Sequence, residues 1–339
     1  MKTRKRATEK ALIDSFSRII DTAGLRPRSL VVGVGDDAAV FRGTDRNDFV
    51  VTQDIQVEGR HFRREWLTGS DLGWRLAAVN LSDVAAMGAR PLYALFSLVL
   101  PREGDAGYAR KIVRGIVAHL RRYSAALIGG NISGSDGPLT CDLTLIGACK
   151  RGRAWRRRAL AGDAIVLIGR LGEAAAGLEL LRAGAGPGKN PKARLVHAYL
   201  KPRPLPDVAA LLCDDPAVHG AIDVSDGFST DVIHLCEPSR VGCAVDAARL
   251  PLSPALRTFC RDRSADPVEW MMRGGEDYAL ILSVGARRAA NLCERVEREV
   301  GLPARVVGAV TATHGFFIAG KKGRRRRFHA TGWDHLSPR

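Results

Sequence analysis

Six short segments of this chain set carboxylates or amides beside glycine, serine or threonine in otherwise apolar surroundings. The first is Gly33-Val34-Gly35-Asp36-Asp37-Ala38-Ala39-Val40. Adjacent like charges repel, and the flanking Val and Ala side chains solvate them poorly, so a cation is the economical counterpart. A plain Gly-Asp turn is the alternative. The second, Thr52-Gln53-Asp54, ends the apolar run Phe49 to Val51 and leads to His61. The third lies in the nearly apolar helix Leu76 to Gly88, where Asn80 and Asp83 are three apart and share one face. A buried carboxylate there is costly unless a metal or a strong hydrogen-bond network meets it.

The fourth segment, Ile222-Asp223-Val224-Ser225-Asp226-Gly227, reads as a strand leading into a helix. Alternation puts Asp223 and Ser225 on one strand face, and Asp226 or Gly227 opens the helix with backbone N–H groups free for an anion. The fifth, Arg273-Gly274-Gly275-Glu276-Asp277-Tyr278, is a tight glycine turn carrying acids to the head of a strand. In the sixth, Ile128-Gly129-Gly130-Asn131, the glycines can bring backbone amides close to phosphate. Each segment alone is weak. Together they are the inventory for holding Mg²⁺ and a polyphosphate without a P-loop, since no Gly-x-x-x-x-Gly-Lys-Ser/Thr occurs.

The elements that must carry these segments follow from hydrophobic periodicity. The first half predicts helices over 8–20, 70–88 and 108–123, the second opened by Ser70 and Asp71 and closed by Gly88. Strands are expected at 30–34, 38–41, 48–57, 91–100, 125–129 and 139–149. An Arg-rich stretch over 150–160 breaks the pattern and sets a domain boundary. Beyond it, strands are expected at 164–169, 221–224, 241–246, 277–283, 304–310 and 315–319. Helices are expected through Leu181 and at 227–236, 254–261 and 286–299, with a mobile loop at 183–192. Strands and helices mix without a strict βαβ repeat, giving an α+β protein of two similar-sized domains, 1–150 and 151–339.

A length of 339 residues, 46% hydrophobic and 26% charged, suits two globular cores and excludes collagen, coiled coil and general disorder. The apolar run Leu92 to Leu100 is too short to span a membrane, and the charged start Met1 to Lys10 has no apolar stretch behind it, so neither a span nor a secretory signal is expected. The formal charge of +16 comes mostly from scattered arginines. Arg156 to Arg158 and Lys321 to Arg327 form runs, the latter read as a solvated turn or tail. Neither is interleaved with aromatics, so a nucleic-acid partner is not expected, while a site for phosphorylated anions is. Seven cysteines, odd in number and without a Cys-x-x-Cys pair, fit small core thiols in a reducing cytoplasm.

The segments Gly33 to Asp37, Val79 to Gly88, Ile128 to Gly130, Ile222 to Gly227 and Gly274 to Tyr278 stand in the order and at the spacing of the motifs of thiamine-monophosphate kinases, and the chain resembles that family nearly from end to end. The wider superfamily includes aminoimidazole ribonucleotide synthetase, selenophosphate synthetase and a hydrogenase maturation factor. The resemblance implies the two-domain aminoimidazole ribonucleotide synthetase-like fold. Its N-terminal α/β domain would bind Mg²⁺ and ATP and dimerise through its strands, and its C-terminal α+β domain would complete the site. It also implies a cytoplasmic homodimer that transfers the γ-phosphoryl group of ATP to the phosphate of thiamine monophosphate, by Mg-bridged in-line transfer. By motif position Asp37, Thr52, Asp54, Asp83, Asp223 and Asp226 would be Mg²⁺ ligands. Gly130, Asn131, Ser225 and an arginine of the 156–158 run, taken as Arg156, would contact ATP. His61, Glu276 and Trp333 would face the acceptor.

Two positions depart from the family pattern. Gln53 stands where a small hydroxyl residue, usually Thr, precedes the acid, and Asn131 stands where the family's Gly-Gly-Asp has its metal-binding carboxylate; both serve the same metal. An amide oxygen ligates Mg²⁺ less well than a carboxylate. Two other functions therefore stay open: a paralogous kinase or synthetase acting on another phosphomonoester or carboxylate, and a nucleotide-binding protein with impaired catalysis.

Overall fold

The computed structural model describes residues 9–23, 27–185, 191–320 and 324–331. Its first half runs α1 (Glu9–Thr22), β1 (Leu30–Val32), β2 (Ala39–Arg42), β3 (Asn47–Val57), α2 (Gly69–Ala86), β4 (Arg90–Pro101), α3 (Ala106–Arg121), β5 (Ala126–Ser135) and β6 (Thr140–Lys150). The second half runs β7 (Ala164–Ile168), α4 (Glu173–Arg182), α5 (Pro191–Leu200), α6 (Pro206–Leu212), β8 (Val218–Asp223), α7 (Phe228–Cys236) and β9 (Gly242–Asp246). It continues with α8 (Pro254–Arg261), α9 (Pro267–Arg273), β10 (Leu280–Val284), α10 (Ala286–Val300), β11 (Ala304–Thr311), β12 (Phe316–Ala319) and β13 (Arg325–Arg327).

The strands form a six-stranded sheet, β1-β2-β3-β6-β4-β5, and a seven-stranded sheet, β13-β12-β9-β11-β7-β10-β8. Pairing is antiparallel except between β4 and β5 and between β9 and β12. This is the two-domain α+β architecture expected from the sequence, with one sheet per half.

Helix α2 is the keystone. Its N-cap is Thr68, whose hydroxyl accepts from the Asp71 N–H while Asp71 reaches back, so the helix starts ahead of the expected Ser70. Almost every residue from Leu72 to Ala86 is buried, because one side of α2 packs on β3 and β6 and the other on α5, α6 and β8. That is why its sequence is apolar all round. It crosses α3 at a glycine pair: a Cβ on Gly73 would lie 1.9 Å from the Ile112 carbonyl oxygen, and one on Gly115 would lie 2.1 Å from that of Ser70. Close packing of this kind fixes the pose of the helix that carries Asp83.

Three helices were not foreseen, α5, α6 and α9. Helix α5 begins inside the stretch expected as loop 183–192, of which 186–190 lie outside the described residues. Part of the basic run Lys321 to Arg327 is not a tail, since Arg325–Arg327 pairs with β12 as an exposed edge strand. Six of the seven cysteines are buried as free thiols, and Cys213 is partly exposed.

Candidate active site

Between the two halves lies a cavity of about 440 Å³ whose walls include Asp54, His61, Asp83, Ser225, Asp226 and Glu276. Six of the residues singled out by their motifs thus meet in one cleft, although they come from β3, the loop after it, α2, the β8–α7 connection and the turn before β10. Asp37 and Asp223 stand behind this wall, close enough that their charges bear on Asp83.

Alternation along β3 points Thr52 and Asp54 toward α2. The Thr52 hydroxyl donates to Asp83 Oδ2 at 2.6 Å, and the Ser82 hydroxyl donates to Asp223 Oδ2 at 2.6 Å. Neutral hydroxyls do not cancel four carboxylates. Burial pushes Asp83 well above the usual carboxylate range, and the charges of Asp54, Asp223 and Asp37 push it further. Burial, then the Asp37 charge, raises Asp223 to about 8. Asp37 is raised by burial only to about 6, because Arg157 opposes the rise. Asp37 Oδ2 is buried without a hydrogen-bond partner. An orphaned carboxylate oxygen among acids that share repulsion fits a divalent cation. Among the described residues no three acidic, histidine or cysteine side chains converge as a complete metal cage. Mg²⁺ commonly takes one or two carboxylates and completes its shell with water and phosphate, so such a site fits Mg²⁺ arriving with a polyphosphate.

The glycine turn is held from both sides. The Glu276 N–H donates to the Ser225 carbonyl at 2.7 Å and the Tyr278 N–H to that of Val224 at 2.9 Å. Glu276 and Tyr278 both adopt positive φ, 63° and 50°, a conformation disfavoured for side-chain-bearing residues and found where a site over-determines the backbone. The two acids of the turn diverge. Asp277 accepts from the N–H groups of Gly172 and Ala174, at 2.5 and 3.1 Å, and so caps α4. Glu276 turns to the cleft and pairs with Arg75, a fully buried arginine of α2. Arg75 Nη1 donates to the Tyr199 carbonyl at 2.6 Å, and its guanidinium lies 4.4 Å from the centre of the Tyr199 ring. His61 Nδ1 accepts from the Val57 N–H at 3.0 Å, which leaves Nε2 as the protonated, donating nitrogen of the neutral ring.

Three expected residues lie elsewhere, Gly130, Asn131 and Arg156. Gly130 and Asn131 are inside the exposed edge strand β5, not in a loop. A Cβ on Gly130 would lie 1.7 Å from the Phe96 carbonyl oxygen, so strand contact alone demands glycine there. The departing residue Gln53 is on the outer face of β3, opposite Thr52 and Asp54, and donates to Asp142 Oδ1 at 2.8 Å. Asn131 is in register with Ser97, Asp142 and Ile55 in one row across the sheet. Arg156 is exposed, whereas Arg157 turns onto the acids. Trp333 lies outside the described residues; Thr331, just before it, bonds to Ser229 and Thr230 at the start of α7 and lines the cleft.

Sequence reasoning missed three residues. Arg75 stands one place before the apolar run Leu76 to Gly88, and Arg157 is one of three adjacent arginines. Asp231, buried on α7, accepts from the N–H groups of Asp226 and Gly227 and fixes that turn. Its signal was a lone acid in an apolar helix.

Residues 35–149 match the model of the AIR synthase related protein N-terminal domain, and residues 161–321 match that of the C-terminal domain. Thiamine-monophosphate kinase of Rhodopirellula baltica is 33% identical over 314 residues, covering 90% of this chain and 92% of its own. The chain belongs to the thiamine-monophosphate kinase family. Among solved structures of the family, AaThiL complexed with AMPPCP and TMP superposes with a TM-score of 0.84 at 28% identity, over 98% of this chain and 100% of its own. The thiamine-monophosphate kinase of Stenotrophomonas maltophilia K279a superposes at 0.75 with 34% identity, over 91% and 95%. Membership makes the chain a phosphotransferase. Among the described residues no helix is long and apolar enough to cross a membrane.

Proposed function

We propose that the chain transfers the γ-phosphoryl group of ATP directly, in line, to the phosphate of thiamine monophosphate, giving thiamine diphosphate, with Asp37, Thr52, Asp54, Asp83, Asp223 and Asp226 as the Mg²⁺-holding set. The observation that carries this reading is the joining of buried, mutually repelling carboxylates to a cleft also walled by His61 and Glu276, in a family whose relative AaThiL was solved with AMPPCP and TMP.

A phosphate monoester has its second pKa near about 6 and is largely a dianion at neutral pH, so it needs no general base to attack. The obstacle is repulsion between acceptor and donor. Mg²⁺, when bound, supplies the charge neutralisation that lets two phosphate groups approach. The protein's part is position: Asp83 and Asp223 are aimed by Thr52 and Ser82, Glu276 by Arg75, and the Ser225–Asp226 turn by Asp231. Glu276 and His61 Nε2 face the acceptor and Ser225 serves the nucleotide, whereas Arg156, Gly130 and Asn131 lie outside the cleft of a single chain.

Gly130, Asn131 and Gln53 lie away from the cleft of their own chain, on β5 and the outer sheet face. That face also exposes Ile55, Tyr93 and Leu95, which are 49%, 48% and 39% accessible. A homodimer formed through this face covers them and brings the Gln53–Asp142 pair and Asn131 to a second copy. Light scattering at micromolar protein tests the dimer; a monomer contradicts it. The function itself is tested by ATP consumption and phosphotransfer with a panel of phosphomonoesters. Mg-dependent turnover preferring thiamine monophosphate is expected. Preference for another monoester favours the paralogue, and nucleotide binding without turnover favours a non-catalytic protein.

A further inference from the structure

Arg157 sits directly on a carboxylate of the proposed Mg²⁺-holding set. Its side chain is three-quarters buried, with 25% exposure. Nη2 and Nε both donate to Asp37 Oδ1, at 2.5 and 3.1 Å, and its backbone N–H lies 3.3 Å from each carboxylate oxygen of Asp36. Its charge also reaches Asp223, whose carboxyl it stabilises in the ionised form. Asp83 and Asp223 themselves receive hydroxyl hydrogen bonds, from Thr52 and Ser82. The guanidinium is therefore the cation seated on this cluster.

We infer that Arg157 is a built-in counter-cation of the metal-free site, which competes with a divalent metal for Asp37 and gives way when the metal binds. A divalent ion on Asp37 would share one carboxylate with a guanidinium, and two positive charges that close in a poorly solvated place repel strongly. The guanidinium is the partner able to leave. It sits at the end of a long side chain on the connection between β6 and β7, outside any helix or strand, so release needs rotamer changes and no movement of an element. With the guanidinium seated, one Asp37 oxygen is taken and the other is buried and unpartnered. No three ligating groups then converge among the described residues. The seated guanidinium holds a carboxylate oxygen that a metal on Asp37 would use. It lowers the affinity of the empty protein for free metal, so that metal is taken up chiefly together with an anion that can accept the displaced guanidinium.

This rests on the reading that the cluster binds metal, but not on phosphotransfer or the identity of the acceptor. The test is Mn²⁺ binding without nucleotide, followed by electron paramagnetic resonance of free Mn²⁺, on the wild-type chain, Arg157→Gln and Arg157→Lys. Removing the charge is expected to tighten Mn²⁺ binding about tenfold or more, while Arg157→Lys stays close to wild type. Equal or weaker binding by Arg157→Gln overturns the competition and leaves the metal reading intact. Binding by none of the three overturns both. A second readout uses wild-type protein only, so that misfolding of a variant decides nothing. Phenylglyoxal labelling of Arg157, followed by peptide mass spectrometry with exposed Arg156 and Arg158 as references, is expected to rise several-fold when Mn²⁺ is added. Labelling that is unchanged or falls overturns the inference.

Discussion

Asp223→Asn should make the metal-free protein more stable at alkaline pH, although it removes a residue placed at the heart of the site. Asp223 is 3% exposed, and its carboxyl is raised from the ordinary 3.8 to about 8 by burial and by the charge of Asp37. For a group raised on folding, the stability contribution is complete below its unfolded value and is lost as pH climbs through the folded value. Each pH unit in that window costs about 1.4 kcal/mol, so the whole interval is of order 5 kcal/mol. Asparagine cannot ionise, and its amide oxygen still accepts from Ser82. A scan from pH 5 to pH 9 crosses about three of those units, or about 4 kcal/mol, and in a chain of this size about 1 kcal/mol shifts the melting midpoint by about 2 °C, so the wild-type midpoint in EDTA should fall by about 8 °C more than the variant's. Thermal melts followed by circular dichroism, with EDTA and then with excess Mg²⁺, measure this directly. Mg²⁺ should rescue the wild type at pH 9 and do little for the variant. Parallel curves with equal pH slopes would refute the claim that repulsion at this carboxylate is a cost of the empty site.

Asp83→Asn should abolish phosphotransfer while leaving the metal-free melting point unchanged or higher, since Thr52 can donate to the amide oxygen; a large destabilisation with unchanged Mn²⁺ affinity would make Asp83 structural. Arg75→Met should cost about 3 kcal/mol in urea denaturation, because it strands Glu276 beside a buried apolar helix, and should raise the KM for the acceptor more than that for ATP. An equal rise in both constants would show that Arg75 does not act through Glu276. The double change Gln53→Thr with Asn131→Asp should raise turnover on thiamine monophosphate about tenfold, equivalent to about 1.4 kcal/mol at the transition state. Background turnover with ATP and Mg²⁺ binding intact would point to a different acceptor.

The reach of the sequence differs between elements for physical reasons. Strand β3 and helix α2 were legible because one alternates and the other is apolar all round, and these patterns report burial directly. The turn at Gly274 to Tyr278 was legible as a turn, but the opposed roles of Glu276 and Asp277 depend on Arg75 and on the α4 N-terminus, both more than 100 residues away in sequence. Helices α5, α6 and α9 have weak periodicity over short lengths. Their one clear signal is a proline at the start, Pro191, Pro206 and Pro267, a residue well suited to the first helical turn. Gln53 was readable in principle, since period two alone puts it opposite Thr52 and Asp54. The seating of Arg157 on Asp37 was not, because three adjacent arginines in an irregular segment carry no pattern that says which turns inward.

Phosphorus NMR of the protein with ATP, Mg²⁺ and thiamine monophosphate tests phosphotransfer at this cleft most directly. The diphosphate signals of thiamine diphosphate should grow at the rate at which ADP appears, should need Mg²⁺, and should be absent with Asp83→Asn and Asp223→Asn. ADP formed with inorganic phosphate while thiamine monophosphate stays unchanged, or transfer that persists in both variants, would contradict it.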